Sequence, residues 1–277
     1  IAPLDNLIVE ATSPAGAVAT FTPTATDLVS GAVTVIATPP SGSTFPLGNT
    51  TVALSATDAA GNTGTGSFTV TVRDTTAPAI ASPGDLIAEA TSAAGAIVTF
   101  NATATDLVDG AVSVTASPAA GSTFPIGTTT VALTSIDAAG NPATGSFTVT
   151  VRDTTPPVLT VPASQTLEAT GPNGAIATFT ATAIDAVGAT ISYSRASGST
   201  FALGATSVGV TASDAAGNST PGSFTITVVD TTRPVLTLPA NFTLEATSVA
   251  GAVGTFTASA SDVVSGNVAV SLSHASG

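Results

Sequence analysis

The sequence has no cysteine, methionine, tryptophan or lysine, and one histidine and one tyrosine among 277 residues. Without cysteine there is no disulfide, no thioester and no thiolate metal site. Without lysine there is no Lys–Asn isopeptide cross-link. A lone histidine, His274, supports no Ser/His/Asp constellation, and no other non-repeating set of catalytic groups stands out. The expectation is that the chain is not an enzyme. Aromatic residues make up only 4% of the chain and charged residues 8%. The charges are one-sided: 17 acidic residues against 4 arginines give a net charge of −13. That balance argues against nucleic acid and against anionic membrane surfaces as partners. No apolar run is long enough to span a bilayer.

What is present is a repeat. Glu10, Glu89, Glu168 and Glu245 lie 79, 79 and 77 residues apart, and Asp27, Asp106, Asp185 and Asp262 keep the same spacing. On this period the chain divides into residues 1–74, 75–153, 154–230 and a partial fourth repeat, 231–277. Each full repeat has the size of a small sandwich domain. The chain starts just after a joint motif would fall and stops at Gly277, midway through a repeat, which reads as a window cut from a longer array. Most hydrophobic residues are Ala and Val, so each core is small. Ten of the 11 phenylalanines fall at repeated positions, as core filling should; Phe242 is the exception.

In repeat 1, residues 6–11 read as a first strand, 13–16 as a turn, 17–27 as a long second strand and 32–37 as a third. An irregular corner surrounds Phe45. Residues 50–58 then alternate, with Val52, Leu54 and Ala56 on one face. After the turn Ala59-Ala60-Gly61-Asn62, residues 67–73 alternate again, with Phe68, Val70 and Val72 inward. The two runs predict a hairpin. No stretch has helical periodicity. The fold class is therefore all-β: tandem immunoglobulin-like antiparallel β-sandwiches in an end-to-end array. Each hairpin ends at a short joint, Asp74-Thr75-Thr76-Ala77-Pro78, Asp153-Thr154-Thr155-Pro156-Pro157 or Asp230-Thr231-Thr232-Arg233-Pro234, and proline restricts its swivel.

Four motifs recur in order. They are Ser-Thr-Phe-Pro-Leu-Gly at 43–48, Ala-Thr-Asp-Ala-Ala-Gly-Asn at 56–62, Gly-Ser-Phe-Thr-Val-Thr-Val at 66–72, and Asp-Thr-Thr-x-Pro at the joints. Together they resemble the HYR (hyalin repeat) family over the whole chain. The resemblance implies an immunoglobulin-like sandwich, an extracellular or cell-surface location and a role in adhesion or surface structure. Animal members often carry a cysteine just before the Ser-Phe of the last strand. Gly66, Gly145 and Gly222 stand there, so a prokaryotic surface array fits better than a disulfide-stabilised animal one.

Fourteen of the 17 acidic residues belong to four repeated series, those of Glu10, Asp27, Asp58 and Asp74. In a sandwich of this plan the second and penultimate strands both end at the pole where the chain arrives. The first joint should then gather Glu10, Asp74, Asp106 and Asp137. The second should gather Glu89, Asp153, Asp185 and Asp214, and the third Glu168, Asp230 and Asp262. Glu10 has the outward parity of its strand and is the weakest member. Carboxylates this close must either hold protons or share a cation. Hard oxygen ligands in an irregular cluster favour Ca²⁺ over Mg²⁺, with carbonyls near Thr75 and the amide oxygen of Asn141 completing the shell. The plainer alternative is that these aspartates cap turns, for which Asp58 is well placed.

The leading reading is a structural or adhesive extracellular rod or filament with calcium-stiffened joints. Its partners are other repeats of the same chain and copies of itself. The second reading is a spacer or ligand-binding module of a larger surface protein or secreted enzyme, with glycans or proteins as ligands.

Overall fold

The computed structural model describes all of residues 1–277, which form strands and turns with no helix. The chain falls into two compact units, Ile1–Arg152 and Asp153–Gly277.

Repeat 1 contains β1 (Leu7–Glu10), β2 (Ala17–Val18), β3 (Ala25–Asp27), β4 (Gly31–Val33), β5 (Val35–Thr38), β6 (Thr44–Phe45), β7 (Gly48–Thr57) and β8 (Thr63–Arg73). Its main sheet has the order β1-β8-β7-β5, with small pairs β2-β6 and β3-β4 opposite. The predicted hairpin is present: β7 pairs antiparallel with β8 from Gly48↔Val72 to Thr57↔Thr63. Its alternation buries Val52, Leu54, Phe68, Val70 and Val72, and leaves the threonines outward. Each fully buried Val or Phe on such a face contributes about 1.5–3 kcal/mol. Phe21 stands edge-on to Phe68 at 4.9 Å between ring centroids, and Phe100–Phe147 and Phe179–Phe224 repeat the contact at 4.9 and 4.8 Å.

One pairing is not antiparallel. β1 runs parallel to β8, with Glu10 opposite Arg73. The first strand therefore ends at the same pole as the last. We call this the trailing pole, and the opposite one, where the chain arrives, the leading pole.

The expected strand over 17–27 is two strands. β2 pairs with β6, whereas β3 pairs with β4. Between them the backbone bonds to the corner loop: Gly42 N donates to Ala19 O at 2.8 Å and Phe21 N to Ser41 Oγ at 2.8 Å. The expected strand over 32–37 splits for a related reason. β4 stays with β3 while β5 joins β7 in the main sheet, so the chain changes sheets at Thr34.

Repeat 2 follows the same plan with β9 (Ala79–Ala81), β10 (Leu86–Glu89), β11 (Ala96–Ile97), β12 (Thr103–Asp106), β13 (Gly110–Val112), β14 (Val114–Ser117), β15 (Thr123–Phe124), β16 (Gly127–Ile136) and β17 (Pro142–Arg152). Its main sheet is β10-β17-β16-β14, and β9 extends the smaller one to β13-β12-β9. In the second unit, repeat 3 has the equivalent four-stranded sheet, ending in the hairpin of Gly204–Ser213 and Ser219–Val229. Repeat 4 contributes one three-stranded sheet of Val235–Thr237, Ser259–Asp262 and Gly266–Val268.

One glycine position fixes the corner. Gly16 has φ +104°, and a Cβ there would lie 1.9 Å from the Phe45 carbonyl oxygen; Gly95 and Gly174 meet Phe124 and Phe201 at 1.9 and 1.8 Å. No other residue fits.

Candidate metal centre

Three elements converge at the first joint. β8 ends at Arg73 and delivers Asp74, β12 ends in Asp106, and Asp137 follows β16 directly. Because β12 and β16 both run toward the leading pole of repeat 2, both aspartates meet the arriving joint. Each of the three carboxylates offers an oxygen, and these oxygens lie within 4.8 Å of one another. Asp153, Asp185 and Asp214 form the same group in the second unit.

Burial makes the first group unusual. Asp106 is 8% exposed and Asp137 7%, in a protein whose other buried polar residues are Ser135 and Asp153. Asp106 Oδ1 accepts the amides of Val108 at 2.7 Å and Asp109 at 3.0 Å. Its Oδ2 is buried and meets no donor, as is Oδ2 of Asp74. A buried carboxylate oxygen without a donor is costly. Two of them on members of one three-carboxylate group ask for a proton or a cation. Burial first, and then the charges of Asp106, Asp137 and Glu10, push the Asp74 carboxyl above its usual range, against the Thr76 amide that donates to Oδ1 at 3.2 Å.

Asp137 is arranged differently. Burial works to raise its pKa, but Asn141 holds it below the ordinary value. The Asn141 amide N donates to Oδ1 at 2.7 Å and Nδ2 to Oδ2 at 2.7 Å. Each oxygen keeps a second lone pair for a metal. Asn141 Nδ2 also reaches the carbonyl oxygens of Asp74 at 3.3 Å and Thr76 at 3.4 Å. Asn141 thus clamps the joint through its N–H groups, rather than offering its amide oxygen as the sequence suggested. Asn218 does the same in the second unit, donating to Asp214 Oδ2 at 2.9 Å and Asp153 O at 3.1 Å.

Glu10 is not drawn into the oxygen cluster. Its Oε1 accepts the Thr75 amide at 2.8 Å and Thr76 Oγ1 at 2.9 Å, and Oε2 accepts Thr75 Oγ1 at 2.7 Å. These bonds, the Thr75 amide foremost, lower its pKa. Glu168 repeats the arrangement on Thr231 and Thr232, with amide bonds of 2.7 and 2.9 Å, and its pKa is lowered by the same kind of donors. The outward parity of β1 is the reason: it turns the glutamate to the outside of the joint, where the paired threonines stand. Glu89 closes β10 opposite Arg152. Glu10 and Glu168 therefore read as buttresses that set the conformation of their joints.

At the third joint Asp230 is exposed, and Asp262 accepts the amides of Val264 at 2.9 Å and Ser265 at 2.7 Å through Oδ1. Asp262 Oδ2 is buried without a donor, like Asp106 Oδ2. Asp230 and Asp262 do not make a group of three, because no hairpin turn of repeat 4 lies within the 277 residues.

The residues fit a calcium ion on chemical grounds. Oxygens on opposite sides of one Ca²⁺ stand about 4.6–5.2 Å apart, so oxygens within 4.8 Å of each other can share a coordination sphere. Every donor is a hard oxygen, and two are otherwise unpartnered.

Sequence reasoning missed two groups. Asn6 Oδ1, Asp85 Oδ1 and Ser164 Oγ accept the amides of Thr69, Thr148 and Thr225 at 2.9, 2.7 and 3.0 Å, pinning the segment before the first strand of each repeat to the last. The second is Val108, buried at the joint beside Asp106. The signal was there: Asp-x-Val closes the second strand of all four repeats, at Val29, Val108, Val187 and Val264.

Comparison with known proteins agrees with the repeat. The HYR domain profile matches residues 6–72, 73–151 and 152–228. Hyalin of Lytechinus variegatus is 40% identical over 237 residues, covering 79% of this chain and 44% of that protein. Hyalin of Strongylocentrotus purpuratus is 37% identical over 234 residues, covering 79% of this chain and 20% of that protein. The chain thus spans less than half the length of these curated relatives. Among solved structures, the protocadherin gammaB7 cis-dimer is similar at 15% identity and TM-score 0.34, over 92% of this chain and 81% of that one. An I-band fragment of titin is similar at 11% identity and TM-score 0.33, over 65% and 75%.

Proposed function

The chain belongs to the HYR family, and from that premise we propose that it is a non-catalytic structural or adhesive element of the extracellular space whose joints are stiffened by calcium. The observation that carries the calcium reading is the pair of buried, donorless oxygens Asp74 Oδ2 and Asp106 Oδ2 beside Asp137. An ion there supplies positive charge among the three carboxylates. Asp74, Asp106 and Asp137 hold it from three different elements, while Asn141 and Glu10 fix the joint backbone around it. Asp153, Asp185 and Asp214 are the corresponding ligands in the second unit. The array then serves as a strut between cells or within a matrix, with its own copies as the first partners.

Extracellular modules bind calcium at about 10⁻⁴–10⁻³ M. At roughly 1 mM calcium a site of 10⁻⁴ M stabilises its joint by about 1.4 kcal/mol. That suffices to bias a swivel without deciding whether a sandwich folds. Calorimetric titration with calcium, followed by small-angle scattering with calcium and with chelator, tests the reading. Binding with a calcium-dependent gain in stiffness is expected. Equal flexibility in both conditions overturns it.

A further inference from the structure

The turn that carries Asp106 also carries a second device. Val108 is 7% exposed and belongs to one buried cluster with Ala11, Phe45, Val70 and Val72, all of which are repeat 1 residues. A side chain of repeat 2 therefore completes the trailing end of repeat 1's core. The arrangement recurs in the second unit, where Val264 of repeat 4 packs against the core of repeat 3. The turn is built before it docks. Asp106 Oδ1 accepts the Val108 amide at 2.7 Å, and Asp262 Oδ1 accepts that of Val264 at 2.9 Å. At the leading pole of repeat 1, where Val29 is 95% exposed, Asp27 Oδ1 still accepts the Val29 amide at 2.9 Å. The same loop shape thus exists with and without a neighbour, so little ordering is needed when it seats. Asp109 braces it in repeat 2, its Oδ2 accepting the Ala138 amide at 2.7 Å and tying the turn to the one that follows β16.

We propose that this valine is an apolar plug by which repeats 2 and 4 complete the cores of repeats 1 and 3, and that the ion held by Asp74, Asp106 and Asp137 locks the Val108 plug in place. The plug stands on packing alone; the lock rests on the calcium reading above. Asp106 links the two, since one oxygen shapes the plug turn and the other is buried without a donor in a residue of the joint cluster. Occupancy of the first joint then protects the core of repeat 1, so that repeats 1 and 2 are coupled.

Amide hydrogen exchange on the full chain, titrated with calcium alone, tests both parts. In the parent protein calcium should slow exchange at Val70 and Val72 about tenfold. In Val108→Ala calcium should still bind, within about threefold of the parent affinity, but protection of repeat 1 should no longer respond. Undiminished response in Val108→Ala overturns the lock. Without calcium, Val108→Ala should speed exchange at Val70 and Val72 while Val29→Ala leaves them unchanged. If the two variants behave alike, the plug is overturned. Absence of any calcium binding overturns the joint reading and the lock, and leaves the plug to the calcium-free comparison.

Discussion

Two leading poles of one unit carry the same residues in different states. In repeat 2, Asp106 and Asp137 are 8% and 7% exposed, and Val108 is 7% exposed. In repeat 1, Asp27 and Asp58 are half-exposed and Val29 is 95% exposed. The turns are alike: Asp27 and Asp106 cap the same two amides, and Asp58 and Asp137 bind Asn62 and Asn141 in the same way. What differs is the arriving joint, together with the Asp109 brace, for which repeat 1 has Ser30. A repeat by itself therefore supplies capped turns, and a neighbour converts those turns into a buried carboxylate cluster beside an apolar plug. The turn-cap reading and the metal reading of these aspartates are not rivals. The first describes one repeat, and the second describes a pair.

The comparison can be broken at several points. The largest effect belongs to a contact inside a repeat, which should ignore the neighbour. Gly16→Ala and Gly95→Ala each drive a Cβ into a backbone carbonyl at 1.9 Å with φ beyond +100°. Both should lose about 3 kcal/mol or more by thermal or urea unfolding, and equally. A large difference would mean that the corner, too, depends on the neighbour. Next, Asp106→Asn should weaken calcium binding on the order of 10–100-fold by calorimetry, whereas Asp27→Asn should leave the first-joint affinity unchanged. Third, Val108→Ala should destabilise by about 1.5–2 kcal/mol and Val29→Ala by less than about 0.5 kcal/mol.

The smallest effect is on acid titration without metal. Asn62, through its side chain and then its amide, holds Asp58 low, and the Ser30 and Val29 amides hold Asp27 low. Stability from a lowered carboxyl is complete above its ordinary value of 3.8 and is lost as pH falls through the folded value. Asp74 has the opposite sign. Burial raises it, so its ionised form opposes folding, and the strain is relieved as pH falls through the raised value. Carboxyl chemical shifts should titrate below 3.8 for Asp27 and Asp58 and above it for Asp74. Identical titrations would remove the distinction between the turn aspartates Asp27 and Asp58 and the joint aspartate Asp74.

Much of this was legible in the sequence. The hairpin followed from strict alternation, because period 2 leaves Phe68, Val70 and Val72 no face but the core. The convergence of Asp74, Asp106 and Asp137 followed from strand direction alone. Three things were not legible. Residues 17–27 alternate well enough for one strand, but which sheet takes each half is decided by partners far along the chain. Glu10 could be placed at the correct pole, yet its ligands, Thr75 and Thr76, depend on how the joint backbone turns. Asp-x-Val marks Val108 as a repeated position, but its role is not legible there, since alternation reports a face and is silent about which repeat's core that face enters.

The most direct measurement is a crystal structure of the chain grown with calcium, with anomalous data to identify the ion. A calcium ion at about 2.3–2.6 Å from Asp74 Oδ2 and Asp106 Oδ2, with Asp137 in the same shell, is the expected result. A direct carboxyl–carboxylate hydrogen bond between Asp74 and Asp106, or water alone between them at millimolar calcium, would contradict it.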